Sequence, residues 1–257
     1  MGSIAAIIDW RQAPRSEELA AMTSRAARRG NGAFLRRSFE SAQIAEASDD
    51  RTRADPPPFG ILDHLAIVGD LRLWNREGLR ARAGGRKATE GMTDRRLLLE
   101  AYRRTGIGFL DDVDGDYAFL IWDDKERRVV AVRDRFGTKP LFFEETPIGI
   151  RFASEPKQLA ATSVRAMQPN ARSVAEYLDD HYTETRYSFF DGIHRVRPAM
   201  ALVADPHERE EVRYWNPEPD RSMPVQPVDV AVEFRERLTD AVRRRVATSE
   251  STVSHLS

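Results

Sequence analysis

Residues 114–143, "DGDYAFLIWDDKERRVVAVRDRFGTKPLFF", decide how the chain is read. Two short apolar runs, 117–122 and 129–132, are rich in β-branched and aromatic residues and flank the charged stretch DDKERR. That is the pattern of paired strands joined by a turn. The next five residues, Arg133 to Gly137, read as a second charged turn. Gly137 can take a backbone conformation that other residues resist, and Pro140 restarts the chain into LFF. With GIRFAS following at 149–154, the whole of 117–152 predicts an antiparallel meander.

On the N-terminal side, SIAAIIDW (3–10) predicts a short buried strand. A helix over 16–29 follows: Glu17 and Glu18 suit its positive end, Leu19, Met22 and Ala26 line one face, and Gly30 offers a left-handed stop. The charged, proline-rich stretch 49–60 predicts a loop, LAIVGDLRLW (65–74) a strand, and 93–105 a helix capped by Thr93 and stopped at Gly106. On the C-terminal side, Ser173 and Glu176 have the spacing of a capping box for a short helix carrying Tyr177 and Leu178. AMALVA predicts a further strand, and proline-rich 215–227 an interdomain linker. Val230, Phe234, Leu238, Ala241 and Val242 then recur at helical spacing, and ESTVSHLS (250–257) opens like a buried strand. Strands with segregated helices favour an α+β or layered sandwich over a doubly wound parallel sheet.

Lys+Arg 40 against Asp+Glu 41 leaves a formal charge of -1, so no global field attracts nucleic acid or an anionic membrane. The basic clusters Arg95-Arg96, Arg103-Arg104 and Arg243 to Arg245 read as solvated helix faces. With no cysteine in 257 residues, disulfides, thiolate zinc sites and thiol nucleophiles are excluded. The longest N-terminal apolar run, 4–8, is too short for a signal peptide or membrane span, so a cytoplasmic location is expected. Gly2 begins a myristoylation pattern that Ala6 breaks. The five histidines lack i,i+4 pairing, and Asp111, Asp112, Asp114 and Asp116 lack the spacing of a calcium loop, so no metal site is expected.

The 114–143 block and FASEPKQLA (152–160) together resemble the asparagine synthetase family. Gly115, Ala118, Phe119, Asp123, Arg133, Asp134, Gly137, Lys139, Pro140, Leu141, Phe152, Ala153, Ser154, Glu155 and Lys157 match its glutaminase-domain motifs in order. FFDGIHRVRPAMAL and VRYWNPEP extend the likeness over most of the chain. The resemblance implies a class II glutamine amidotransferase domain at 1–216, a four-layer αββα sandwich of the N-terminal-nucleophile hydrolase type. It further implies a linker at 217–228. Residues 229–257 would then be the first helix and strand of a truncated α/β ATP-pyrophosphatase domain, with Ser257 the first residue of its phosphate loop.

In that family a cysteine at position two attacks the glutamine amide and its α-amine serves as base. This chain has Gly2 there. The Asn-Gly pair of the family's oxyanion hole aligns with Asp70 and Leu71, and a carboxylate repels a developing oxyanion. The family's R-G-P-D turn aligns with Arg29, Gly30, Asn31 and Gly32, and its carboxylate-binding arginine has no counterpart in AQIAEASDDR (42–51). Asn75 and Asp94 are the remaining glutamine-pocket candidates; Asp94 reads more simply as a helix-dipole residue behind the Thr93 cap.

The resemblance thus implies the N-terminal portion of an ATP-dependent amide-forming ligase with an inactive glutaminase domain. ATP and magnesium would serve the full-length protein, with none in this chain. Its partners would be a carboxylate substrate and ammonia or an amine donor, with no nucleic acid and no membrane; a homodimer is compatible. Ring-closing relatives, the β-lactam synthetases and lasso-peptide cyclases, are one alternative. A non-enzymatic scaffold or partner-binding module is another.

Overall fold

The computed structural model describes residues 2–26, 34–47, 59–163, 167–181, 186–217 and 227–246. They fall into two compact units, Met1–Asn216 and Pro217–Ser257.

The first unit is built on two six-stranded sheets. One contains β1 (Ser3–Asp9), β2 (Leu35–Ser38), β3 (Ala42–Ala47), β8 (Phe142–Thr146), β9 (Gly149–Ala153) and β10 (Ile193–Arg195), in the order β10-β8-β9-β1-β3-β2. The other contains β4 (Gly60–Leu62), β5 (Leu65–Leu73), β6 (Gly115–Asp123), β7 (Arg128–Arg133), β11 (Met200–Ala204) and β12 (Arg209–Arg213), in the order β12-β11-β7-β6-β5-β4. All the named strand pairings are antiparallel.

The sheets face each other across a core of Ile4, Ala6, Ile8, Ile44, Ala66, Val68, Leu120, Trp122, Phe143 and Phe152. Helix α1 (Ser16–Ser24) and the short α4 (Pro156–Ala160) cover the outside of the first sheet, through Leu19, Met22 and Leu159 against Ala5, Ile7 and Ala153. Helices α2 (Arg76–Arg82) and α3 (Asp94–Thr105) cover the second, where Leu79, Leu97, Leu98 and Ala101 meet Ile67, Phe119 and Ile121. The result is a four-layer αββα sandwich. Because both faces of the central strands are covered, β1 is buried at all seven positions rather than at alternate ones.

Helix α3 runs as the spacing predicts: the Thr93 hydroxyl accepts from the Arg96 N–H at 3.3 Å, and Gly106 ends the helix at φ +56°. Several expectations need correction. The 117–152 region is not a single meander, because β6–β7 belong to one sheet and β8–β9 to the other. The stretch Arg133 to Pro140 is therefore the crossover between the sheets. The helix carrying Tyr177, α5 (Ala171–Leu178), is capped by Asn170, whose Oδ1 accepts from the Ser173 N–H at 3.0 Å; Ser173 lies inside the helix and is buried. A capping box does occur at α4, between Glu155 and Gln158. Finally, Gly60 opens β4 instead of ending a loop: a Cβ there would lie 2.6 Å from Ile67 Cγ2 and 2.7 Å from Arg95 Cβ.

In the second unit, α6 (Pro227–Val246) carries the helix expected from Val230 onward. Helix α1 ends at Ser24, with Arg25 as its C-cap, short of the expected end at Arg29. The turn at Arg29 to Gly32, the loop at 49–58, the strand at 252–257 and Ser257 lie outside the described residues. Among the described residues no helix is long and apolar enough to cross a membrane.

Candidate functional site

Strand parity fixes the site. Ile4, Ala6 and Ile8 point between the sheets, and so does position 2; on β5, Ala66, Val68 and position 70 do the same. Gly2 and Asp70 therefore face each other at one end of the sandwich. The Gly2 N–H donates to Asp70 Oδ2 at 3.0 Å, and a Cβ on Gly2 would sit 3.2 Å from both Cβ and Cγ of Asp70. Lys139 Nζ donates to the same carboxylate oxygen at 2.9 Å. Both charged side chains are mostly buried, at 16% exposure for Asp70 and 18% for Lys139.

The crossover delivers Lys139. The Asp134 carboxylate accepts from the N–H groups of Phe136 (3.1 Å), Thr138 (2.9 Å) and Lys139 (2.9 Å). The Arg133 guanidinium donates to the carbonyls of Lys139 (2.8 Å), Val196 (3.0 Å) and Gly137 (2.7 Å). Gly137 adopts φ +67°, and a Cβ there would meet Pro198 Cγ at 2.9 Å, so the tight turn requires glycine. Arg133, Asp134 and Gly137 are thus turn-builders that set Lys139 over Asp70.

A second charged pair lies alongside. Among the described residues, strand β4 pairs with Leu65–Ile67 of β5 and stops short of Gly69. At Gly69 side chains bond the backbone. The Gly69 N–H donates to Glu46 Oε2 at 2.8 Å, and its carbonyl accepts from Arg95 Nη2 at 2.9 Å. Arg95 also pairs with Glu46. Glu46 is 2% exposed, and burial pushes its carboxyl up to about 7, against the opposing pull of Arg95. Asp70 pushes it in the same direction as burial.

The other family positions anchor β1 and the helices. Ser154 Oγ accepts from the Ile4 N–H at 2.9 Å, and Gln158 Nε2 donates to the Ile4 carbonyl at 3.2 Å. Glu155 caps α4 and pairs with the half-exposed Lys157 at 3.1 Å. Pro140 leads into β8. The Leu71 side chain points away from Asp70, into the cluster under α2 and α3. Asn75 caps α2, accepting from the Gly78 N–H at 3.1 Å. Asp94 opens α3 and meets Arg76 Nε at 3.1 Å. The structure therefore gathers Gly2, Asp70 and Lys139 at one point and places Asn75 and Asp94 at helix starts.

Sequence reasoning missed Glu46, Arg95 and the contact of Lys139 with Asp70. One signal was present: in AQIAEA the glutamate falls in phase with the inward Ala42 and Ile44, and a carboxylate buried there demands a partner. An open cavity of about 420 Å³ lies at the other end of β1, between Trp10, the β8–β9 turn and the β11–β12 turn. It shares no residue with this cluster.

The chain matches the family model for the glutamine amidotransferase domain over residues 1–215. It is 29% identical to amidase chry2 of Gibberella zeae over 198 residues, covering 76% of this chain and 29% of that protein. It is also 29% identical to asparagine synthetase [glutamine-hydrolyzing] 3 of Bacillus subtilis, over 76% of this chain and 32% of the relative. The chain thus spans about a third of the length of these curated relatives. Among solved structures it resembles glutamine phosphoribosylpyrophosphate amidotransferase from B. subtilis complexed with ADP and GMP. That likeness has a TM-score of 0.53 at 14% identity, over 84% of this chain and 50% of that one, and it shows the fold alone. Two facing antiparallel sheets between helices, a β1 that starts at the site, and a family match over nearly the whole first unit agree. The chain belongs to the glutamine amidotransferase domain family, as an asparagine synthetase-like class II member of N-terminal-nucleophile type.

Proposed function

We propose that the first unit is a glutamine amidotransferase domain that keeps the scaffold and has lost the hydrolytic chemistry. It would form the N-terminal portion of an ATP-dependent, amide-forming ligase of the asparagine synthetase type. The observation that carries the first half is the trio Gly2, Asp70 and Lys139. Position 2 points at the site and has no atom to attack with. At position 70 the resemblance calls for an amide donor to a developing oxyanion; a carboxylate accepts hydrogen bonds and cannot donate them when ionised. Its charge is already matched by Lys139 at 2.9 Å and its oxygen is shared with the Gly2 N–H. The three groups fill the place where a glutamine amide would react.

Without glutamine hydrolysis, the nitrogen of the new amide comes from ammonia or from an amine on the substrate. A carboxylate activated by ATP and magnesium would accept it, in a domain beyond the first unit. Two measurements test the reading. Purified protein incubated with glutamine should release ammonia at the buffer rate; release above that rate would sink the first half. The reading frame should continue past Ser257 into a Gly-Gly-x-Asp-Ser loop; a stop codon there would sink the ligase half and leave a stand-alone scaffold.

A further inference from the structure

The crossover that carries Lys139 shapes itself through Arg133 and Asp134, but its outer half projects from the body. Phe136, at its tip, is 75% exposed. Arg135 in this half reaches the Asp111 carbonyl at 3.4 Å and Asp114 at 3.8 Å, and the residues just after β12 meet the rest. Trp215 packs edge-on against the Phe136 ring at 5.4 Å between centroids, and the Arg135 guanidinium lies 5.6 Å over the Trp215 ring. One residue earlier, the Tyr214 phenol donates to the Arg133 carbonyl at 2.5 Å, at the hinge where β7 becomes the crossover. Tyr214 is itself held by the Tyr117 hydroxyl at 3.0 Å and by its N–H on the Ala199 carbonyl at 3.1 Å. Burial pushes the Tyr214 phenol far up, so it remains a proton donor throughout the physiological range.

We propose that Tyr214 and Trp215 are positioning residues for Lys139: they strap the crossover at its hinge and its tip, so that the ammonium stays on Asp70. The proposal rests on reading Asp70 and Lys139 as the closure of the site. It assigns a role to VRYW, whose spacing carries no chemistry of its own. Neither residue touches Asp70. Their effect passes through the turn whose geometry sets the reach of Lys139.

The test is the rate of lysine acetylation by an N-hydroxysuccinimide ester, followed residue by residue by mass spectrometry on the whole chain. Lys125, 72% exposed, and Lys157, 49% exposed, serve as internal references. Asp70→Asn should accelerate labelling of Lys139 several-fold, Trp215→Ala should do so by a comparable factor, and Tyr214→Phe by less. Trp215→Phe should stay near the parent rate, because an aromatic edge is retained. The double variant Trp215→Ala/Asp70→Asn should label no faster than Asp70→Asn alone, since both changes release one contact. If Asp70→Asn accelerates Lys139 and Trp215→Ala does not, the strap is wrong and the closure stands. If Asp70→Asn leaves Lys139 unchanged, the closure itself is wrong. A rise at all three lysines in Trp215→Ala would reduce Trp215 to a general contributor to stability and overturn the proposal.

Discussion

At the scale of single residues, Gly2 and Asp70 were legible because the family motifs sit at fixed offsets and strand parity makes both side chains face inward. Their partner was not. Lys139 lies 69 positions from Asp70, on a crossover between sheets, and its family match says only that a cation belongs there. The contact changes the meaning of Asp70, from an isolated repulsive charge to half of a mostly buried ion pair. This bears on repair. A thiol placed by Gly2→Cys would lie against the Asp70 carboxyl, 3.2 Å from the new Cβ, and a neighbouring negative charge disfavours the thiolate. Gly2→Cys should therefore release no ammonia from glutamine beyond the parent chain in a coupled assay. Gly2→Cys/Asp70→Asn should react faster with iodoacetamide at neutral pH than Gly2→Cys does. Equal alkylation rates would show that Asp70 does not govern position 2.

Elements were read well where local signals acted alone, and poorly where a distant group decided. Thr93 and Gly106 bound α3 as expected, because a cap and a positive φ are local. Ser173 and Glu176 had capping-box spacing, yet Asn170 stands one turn earlier and takes the Ser173 N–H, so the helix starts before the box. Strand β3 went unseen because AQIAEA is poor in β-branched residues; its pairing with β1 and β2 makes it a strand. Glu46 on that strand gives it a pH response. Its folded value of about 7 stands above the usual 4.5, so the folded state holds a proton that the unfolded chain has released. Stability from this group is full below about 4.5 and is lost as pH rises through 7, by on the order of 3 kcal/mol for the whole shift. The charged groups facing it are Arg95 and Asp70, the latter paired with Lys139. His194, held down by burial, works in the opposite direction, because its neutral form is the folded one. Comparing Glu46→Gln with the parent at each pH removes that contribution. The variant should lose stability at pH 5, where it gives up the protonated carboxyl, and the deficit should shrink toward pH 8 in urea titrations. A constant deficit across the range would place the Glu46 carboxyl at its ordinary value.

At the scale of the molecule, counting strands against helices gave only an α+β or layered sandwich, and the family resemblance implied its αββα form. The division of strands between the sheets did not follow, because nothing within 133–140 distinguishes a hairpin from a crossover. The distinction lies in which partners β7 and β8 find: β11 and β6 for one, β9 and β10 for the other. These pairings close the first unit on itself. Its three apolar clusters draw every member from residues before Asn216, including Tyr214 under α2 and α3. By contrast, α6 carries Val230, Phe234, Leu238 and Val242 at four-residue spacing along one face. Burial of apolar surface is the main favourable contribution to folding, and all of it that the structure describes for the large clusters lies in the first unit. A chain ending at Asn216 should accordingly unfold as a single cooperative step, within a few degrees of the 257-residue chain and with an unchanged denaturant slope for that step. Ending the chain at Arg213 instead removes Tyr214 and Trp215, and with them the bond to the Arg133 carbonyl and the ring contact with Phe136. That shorter chain should melt lower by several degrees. Loss of the cooperative step on cutting at Asn216 would mean that the second unit supplies part of the core.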